Sequence, residues 1–353
     1  MKTLHKIHIL VILFFCVFAQ SCTNLDEKIY STVPADEFFK NENEMIMNVG
    51  RAYTHLTSYL SPFIWGSLLI CTDEAICPYR ETNLWWDNGV WVALHKHNFN
   101  PQLGNLNDCW SFIFDGITLC NQILYQMDES SVDFPTKKNL AAEVKILRAW
   151  LYLNAIDWYG NVPLSIDFIE KDLPNQVGRL EVFNFIESEI NENVSFLDEV
   201  PTSKNYGRVT QAMAYTMLAK LYLNAKEWIG NDMWKETSEA CDKVINFNKL
   251  SLESDYFANF KVNSEGSKEN IFVMPINNIY APFTMKFHQL SLHTLSQKTF
   301  GIVDFCWDGF CGMEDNYNLY TSNDVRKKSW LEGPQYDVAG NPLMLSPTRQ
   351  LNY

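Results

Sequence analysis

AAEVKILRAWLYLNAIDWYGNVPL, residues 141–164, has the pattern of a packed helix that ends abruptly. Its apolar residues recur at steps of three and four, the spacing of one helical face. These residues are Val144, Leu147, Leu151, Ala155 and Trp158. Gly160 tolerates a left-handed turn and Pro163 lacks an amide hydrogen, so the helix is predicted to stop before them.

Part of this helix is repeated further along the chain. Leu-Tyr-Leu-Asn-Ala occurs at residues 151–155 and again, unchanged, at 221–225. The spacing is close to two tetratricopeptide units of about 34 residues each, which predicts stacked helical hairpins. A helix with apolar positions Phe183, Ile186, Ile190, Val194 and Leu197 is predicted between the copies, and one that includes Trp234, Cys241 and Ile245 is predicted after them. The expected fold class is mostly α, a tetratricopeptide-like hairpin scaffold with minor β structure.

Two long excursions, residues 71–109 and 275–350, interrupt this helical pattern. Both lack a helical period and are rich in aromatic and turn-forming residues. Loops of this length within a domain are usually functional or disordered, and their aromatic content argues against disorder. The excursions are therefore predicted to bind a ligand.

The first excursion carries the side chains that sugar capture requires. Aromatic rings stack on the apolar C–H face of a pyranose, and carboxylate, amide or guanidinium groups bind its hydroxyls. The predicted stacking residues are Trp85, Trp86 and Trp91, and the predicted hydroxyl partners are Asp73, Arg80, Asp87 and Asn88. Alternatively, one or two of these tryptophans fill a small core within the loop. A second stretch of this type, residues 307–310 (Trp-Asp-Gly-Phe), is expected to serve local packing rather than binding.

The amino terminus has the organisation of an export signal. Lys2 and Lys6 form a basic region, residues 9–18 are apolar, and small residues flank a cut before Cys22. Ten apolar residues are too few to span a bilayer core of about 30 Å, so residues 1–21 are predicted to be removed. Cys22 at the first mature position resembles a bacterial lipidation site, and plain secretion with an unmodified Cys22 is the alternative.

The helix at 141–164 also resembles the signature helix of the SusD/RagB family of outer-membrane glycan-binding lipoproteins. Further stretches resemble the family in the same order along residues 22–335. The residues that carry the resemblance are Ala142, Glu143, Leu147, Arg148, Ala149, Tyr152, Gly160, Val162, Pro163, Leu164, Trp110, Ile117, Asn121, Gly207 and Arg208.

The resemblance implies a cell-surface protein of the outer membrane, anchored by a lipid at Cys22. Such a protein binds an oligosaccharide or another nutrient and delivers it to a TonB-dependent transporter of the SusC type. Residues 22–353 would form one SusD-like helical domain. Members of the family continue with further helices, so the C-terminal part of the domain is expected to be missing here.

Composition and motifs argue against other classes of protein. The formal charge of −14 disfavours nucleic acid, because a polyanion requires a basic surface. No nucleophile elbow, phosphate loop, dinucleotide fingerprint or zinc-protease motif occurs, so neither an enzyme nor a cofactor is predicted. Glu187 and Glu189 are interpreted as a solvated helix face rather than a catalytic pair. The alternatives kept are a tetratricopeptide-like protein-interaction scaffold without its own ligand and, less favoured, a surface glycosidase.

The cysteines and histidines predict no metal site. His95 and His97, with Cys71 and Cys77, match no usual zinc spacing. Short-range disulfides between Cys71 and Cys77 and between Cys306 and Cys311 are compatible with an exported chain. Cys120 and Cys241 lie in apolar helical patterns and are predicted to be buried thiols.

Overall fold

The computed structural model describes residues 41–80, 85, 87–169, 172–276, 279 and 287–353. The predicted signal at residues 1–21, the lipidation site Cys22 and the predicted sugar-stacking residue Trp86 lie outside these ranges. Within them, no helix combines the length and apolar character that crossing a membrane requires.

Helices dominate the described part of the chain, as the sequence predicts. Their bounds are α1 Glu42–Leu56, α2 Ser67–Ile70, α3 Val90–His95, α4 Gly104–Glu129, α5 Lys137–Trp158, α6 Arg179–Asn193, α7 Gln211–Leu223, α8 Ala225–Ile229, α9 Trp234–Ile245, α10 Phe287–Ser291, α11 Gln297–Phe300 and α12 Glu314–Leu319. A single π-helical turn, Pro62–Gly66, precedes α2. Because α3, α10, α11, α12 and the start of α4 fall inside the excursions, the prediction that these excursions lack helical structure is wrong in part.

Within the described residues, the strands form three short antiparallel ladders. Their bounds are β1 Ala75–Ile76, β2 Val162–Pro163, β3 Gln176–Val177, β4 Cys311–Gly312, β5 Met344–Ser346 and β6 Arg349–Gln350. β1 pairs with β4, β2 with β3, and β5 with β6. The β1–β4 ladder joins the two excursions, with Ile76 opposite Cys311.

Helix α5, which contains most of the stretch at 141–164, lies at the centre of the scaffold. It packs against α4 on one side and α6 on the other. Consequently its burial extends beyond the predicted stripe, and Ala142, Ile146 and Ala149 are also fully buried. The helix ends before Gly160, whose φ of +80° is the left-handed conformation that the sequence predicts at this exit.

The two Leu-Tyr-Leu-Asn-Ala copies occupy similar but unequal positions. Leu151 and Leu221 are both buried, as are Ala155 and Ala225. Leu153 is buried, whereas Leu223 is 54% exposed, because α7 ends at Leu223 while α5 continues to Trp158. The hairpin scaffold is thus confirmed, with the second copy lying at a helix end.

Helix α9 packs along α7, but most of its own surface faces solvent. Ala240 is its buried position, and Cys241 is exposed. The prediction of a buried thiol is therefore wrong for Cys241, because this residue lies on the face of α9 that no described element covers. It is confirmed for Cys120, which is 1% exposed.

A buried ion pair links α5 to α6. The Arg148 guanidinium donates to Glu189 Oε1 at 2.5 Å and to Asn121 Oδ1 at 2.7 Å. Arg148 and Glu189 are both nearly inaccessible to solvent. The interpretation of Glu189 as part of a solvated face is wrong, since this carboxylate is needed to neutralise a cation in the core. Glu187 is also engaged, accepting a hydrogen bond from the Tyr222 hydroxyl at 2.8 Å.

A second polar network ties α1 and α5 to the segment before α7. Arg208 donates to Glu143 through Nη2 at 2.5 Å and through Nε at 3.0 Å. The Tyr53 hydroxyl also donates to Glu143 and accepts from the Val209 amide. Glu143, Arg148 and Arg208 are among the residues that carry the family resemblance, and the structure shows them to be buried or half-buried scaffold contacts.

Candidate functional site

The two excursions meet at the β1–β4 ladder, and Arg80 holds them together beside it. One Arg80 nitrogen, Nη1, donates to the backbone oxygens of Asp308 and Gly309, the latter at 2.7 Å. Arg80 Nε also lies 3.6 Å from Asp308 Oδ2. This arrangement explains the guanidinium at this position, because its planar fork can serve several acceptors at once.

Asp308 is held in an unusual environment. Its backbone is left-handed, with φ of +53°, and its side chain is 9% exposed. Burial raises the pKa of this carboxyl, and the nearby charges of Arg80 and His293 oppose that rise. Burial in turn lowers the pKa of His293. The contact is therefore a desolvated charge cluster rather than a solvated surface ion pair.

Trp91 lies in a core rather than on a surface. Its side chain has no solvent exposure, and its indole nitrogen donates to Asp87 Oδ2 at 2.8 Å. The ring stacks against Phe63 and meets Phe310 edge-on at 5.0 Å between centroids. Its predicted role as a sugar-stacking platform is therefore corrected, because no face of the ring is open to a ligand.

Trp85 is nearly as inaccessible, at 9% exposure. It stacks with Phe63 and Trp91 and meets Trp307 edge-on at 5.6 Å. The excursion thus has the small core that the alternative interpretation allowed. Its buried members are Ile70, Ala75, Cys77, Trp85, Trp91, Leu94, Leu103, Leu290 and Phe310.

Gly309 permits the close approach of Trp85 to the second excursion. A Cβ at this position would lie 2.7 Å from Trp85 Cδ1 and 2.9 Å from the Leu290 oxygen. The Trp85 indole nitrogen is itself buried and finds no hydrogen-bond acceptor among the residues that the structure describes. This leaves one polar donor at the base of the junction unsatisfied within the described residues.

The predicted polar residues lie around this core. Asp73, Asp87 and Asn88 are exposed. Asp87, Asn88 and Gly89 form a run of three left-handed residues, with φ of 44°, 53° and 84°. The structure thus brings together Arg80, Trp85, Asp87 and Trp91 as neighbours of one core, and leaves Asp73 and Asn88 at its solvent-facing edge.

Exposed or half-buried aromatic residues lie shortly before Arg80 and shortly before Asp308 in the chain. Tyr79, which precedes Arg80, is 63% exposed. Phe305 is 43% exposed and meets the half-buried Trp307 edge-on at 5.0 Å. Phe305 was missed in the sequence, because it stands in a continuous apolar run, Phe-Cys-Trp, that does not distinguish exposed from buried positions. We call Asp73, Tyr79, Asp87, Asn88, Phe305 and Trp307 the junction surface.

The cysteines and histidines of this region are accounted for by local contacts. All seven cysteines of the described residues are free thiols, so the two short-range disulfides do not form in this structure. His95 and His97 each hydrogen-bond a backbone oxygen, at Ile70 and Cys71 respectively.

Comparison with known proteins gives one family and several relatives. The model of a SusD-like family, described as starch-binding and associating with the outer membrane, matches residues 25–223. A SusD-like protein of Bacteroides ovatus is 26% identical over 240 residues, covering 64% of this chain and 42% of that protein. The starch-binding protein SusD of Bacteroides thetaiotaomicron is 32% identical over 138 residues, covering 38% of this chain and 24% of that protein. The chain thus spans less than half the length of these two curated relatives.

Solved structures share the fold. Surface glycan-binding protein A from Bacteroides thetaiotaomicron, in complex with laminarihexaose, aligns with a TM-score of 0.64 at 21% identity. The alignment covers 81% of this chain and 62% of that one.

Proposed function

The chain belongs to the SusD-like family of starch-binding proteins associated with the outer membrane, and from this premise we propose that it binds a glycan at the junction surface. The observation that carries the proposal is the Arg80 contact with Asp308 and Gly309. That contact joins the segment that carries exposed Tyr79 to the segment that carries the Phe305–Trp307 pair, and the first of these excursions also contributes the exposed carboxylates and the amide.

The chemistry of the junction surface suits a sugar. The side chains of Tyr79 and Phe305 are both substantially exposed, and aromatic rings stack on the C–H side of a pyranose. Asp73, Asp87 and Asn88 offer oxygen and nitrogen atoms for its hydroxyls. The buried Trp85 and Trp91 support this surface from below instead of touching the ligand.

Three contacts hold the two excursions together beneath the surface, which favours binding. The β1–β4 ladder, the Arg80 contact and the packing of Trp85 on Gly309 all fix the second excursion against the first. A surface that is ordered before binding loses less conformational entropy when the ligand arrives.

The class of glycan is proposed from relatives. The curated relative from Bacteroides thetaiotaomicron is named as starch-binding, and the solved structure from that organism holds laminarihexaose. Starch and laminarin are therefore the first polysaccharides to test. We propose that the protein binds without cleaving, is lipidated at Cys22 on the cell surface, and delivers its ligand to a SusC-like TonB-dependent transporter.

A protein-interaction scaffold is the second candidate function. Leu223, at the end of α7, and Trp234 and Ile245, at the two ends of α9, are each more than half exposed. Exposed apolar side chains in one region are typical of surfaces that meet another protein. This surface and a glycan site are compatible within one molecule.

Affinity electrophoresis and calorimetry against laminarin, soluble starch and their hexasaccharides test the proposal. Tyr79→Ala and Trp307→Ala are expected to weaken binding at least tenfold, at about 1.4 kcal/mol per tenfold change. Trp234→Ala is the matched control, because Trp234 is 54% exposed and lies on α9. Equal binding by all three variants would exclude the junction surface. Release of reducing ends from either polysaccharide would contradict binding without cleavage.

A further inference from the structure

We infer that the chain has a second glycan-binding site, in an aromatic groove beside the start of α4. The inference rests on the proposed function and adds a subsite to it. The groove has a volume of about 370 Å³ and is lined by Phe99, Asn100, Pro101, Leu106, Asn107, Trp110 and Tyr159. We call these seven residues the α4 groove.

The rings of the α4 groove are open to solvent. Phe99 is 54% exposed and Trp110 is 37% exposed. Large aromatic side chains grouped in one exposed concave site are typical of ligand binding rather than of a solvated surface. The α4 groove therefore has the exposed indole that the Trp85 and Trp91 positions lack.

Local contacts hold each ring in place before any ligand arrives. The Tyr159 hydroxyl donates to the Leu106 oxygen at 2.6 Å, and Trp110 meets Tyr159 edge-on at 5.1 Å. Phe99 stacks on His97 at 5.5 Å, and His97 in turn hydrogen-bonds the Cys71 oxygen at 2.9 Å. Tyr159 directly follows α5, so the stretch at 141–164 contributes one residue to the lining of the α4 groove.

The lining specifies an uncharged, hydroxyl-bearing ligand. None of the seven lining residues carries a charge. The side chains of Asn100 and Asn107 supply amide groups, and Asn107 holds its position by donating to the Pro101 oxygen at 3.3 Å. Aromatic faces with amides at the rim match the two sides of a neutral pyranose. An anionic ligand would find no opposite charge among these residues.

If one molecule has two sites, the apparent affinity for a polymer should depend on both of them, whereas the affinity for a short ligand should depend on one. A polysaccharide can occupy both sites, so that the second contact becomes intramolecular and raises the apparent affinity. A hexasaccharide that occupies only the junction surface gains nothing from the α4 groove. Substitutions in the groove should therefore weaken binding of the polymer and leave binding of the short ligand unchanged.

The experiment compares Phe99→Ala and Trp110→Ala with the parent protein on laminarin, soluble starch and their hexasaccharides. Phe196→Ala is the control, since Phe196 is 45% exposed and follows α6. Each groove variant is expected to weaken polysaccharide retention about tenfold, with hexasaccharide affinity unchanged within twofold. Thermal unfolding by circular dichroism shows whether each variant is folded. If Trp110→Ala unfolds because Trp110 supports Phe114 and Tyr159, Phe99→Ala decides alone.

A further arm isolates the groove. The double variant Tyr79→Ala, Trp307→Ala lacks the junction surface, so any polysaccharide binding that remains is attributed to the α4 groove. Adding Phe99→Ala to this double variant should abolish that remaining binding. If the Phe99→Ala variant is folded and binds the polysaccharides as tightly as the parent protein, the inference of a second site is wrong. The proposal of a glycan site at the junction surface is unaffected by that result. A parent protein that binds none of the four glycans contradicts the proposed function itself, and the inference falls with it.

Discussion

Arg80 and Asp308 are 228 residues apart in the chain, yet Arg80 Nε lies 3.6 Å from Asp308 Oδ2. The same guanidinium donates to the backbone oxygen of Gly309 at 2.7 Å. One side chain thus bridges the two excursions through a carboxylate and through backbone. Arg80 is in this respect a positioning residue for the junction surface, and its predicted direct contact with sugar hydroxyls remains a proposal.

Replacement of Arg80 by Ala is expected to lower the free energy of unfolding by about 1–3 kcal/mol, because two backbone acceptors and a desolvated carboxylate lose their partner. Arg80→Lys should recover only part of this loss, since an ammonium lacks the planar fork. Chemical denaturation measures the effect. Lys235→Ala is the control, because its pair with Glu239 is exposed and its loss should be undetectable. Equal stability of Arg80→Ala and the parent protein would show that the contact is dispensable.

Alanine substitutions of Trp91 and Tyr79 are expected to affect different properties, the first stability and the second glycan binding. Trp91→Ala should destabilise the protein by about 3–5 kcal/mol, because a fully buried indole leaves a cavity. Tyr79→Ala should change stability much less, because the side chain is 63% exposed, while weakening glycan binding. Thermal unfolding and calorimetric titration of both variants provide the comparison. A stable Trp91→Ala variant with weakened glycan binding would restore the original stacking role.

Removing one partner of the Arg148–Glu189 ion pair is expected to destabilise the protein strongly. Glu189→Ala should destabilise the protein by about 3–5 kcal/mol, because a buried guanidinium is left without its counter-charge. Adding Arg148→Met should restore part of the loss, since an apolar side chain needs no partner there. Urea unfolding of the two single variants and the double variant measures the coupling. Additive losses would mean that the pair does not interact energetically.

The thiols are expected to differ sharply in reactivity. Burial raises the pKa of Cys120 to about 12, so its thiolate is scarce at neutral pH. Cys241 is exposed and open to reagents. Iodoacetamide at pH 8, followed by peptide mass spectrometry, should label Cys241 in the native protein and Cys120 only after denaturation. Rapid native labelling of Cys120 would indicate that α4 and α5 separate readily.

Stability near the junction is expected to depend on pH through His293. Burial lowers the pKa of His293, so the unfolded chain takes up its proton first as pH falls. Neutral His293 therefore contributes fully to the free energy of unfolding at a pH above the pKa of histidine in the unfolded chain, near 6.5. This contribution is lost as the pH falls below that value. Between pH 7.5 and 5.5, the parent protein should lose more thermal stability than His293→Asn, which keeps a cap for the Leu295 amide. Asp308 and Arg80 face this histidine and are present in both proteins. Parallel losses in both would exclude His293 as the cause.

Local pattern predicted the scaffold well because a helix is specified by residues three and four positions apart. The apolar steps from Val144 to Ala155, the left-handed Gly160 and the repeated Leu-Tyr-Leu-Asn-Ala segment all appear where the sequence places them. The predictions for Glu189 and Cys241 were wrong for a common reason. Whether a helical side chain is covered depends on which neighbour packs against that face, and Arg148 covers one while no described element covers the other.

The sequence by itself determined the helical hairpins, the membership of the family and the grouping of aromatic residues in two excursions. Only the tertiary structure decided which of those rings face solvent. Phe63, which lies before them in the chain, covers Trp85 and Trp91, and Phe310, which lies far beyond them, covers Trp91. Tyr79, Phe305, Phe99 and Trp110 are left exposed. Burial is a property of three-dimensional neighbours. A long-range contact such as that between Arg80 and Asp308 produces no local sequence pattern from which it could be predicted.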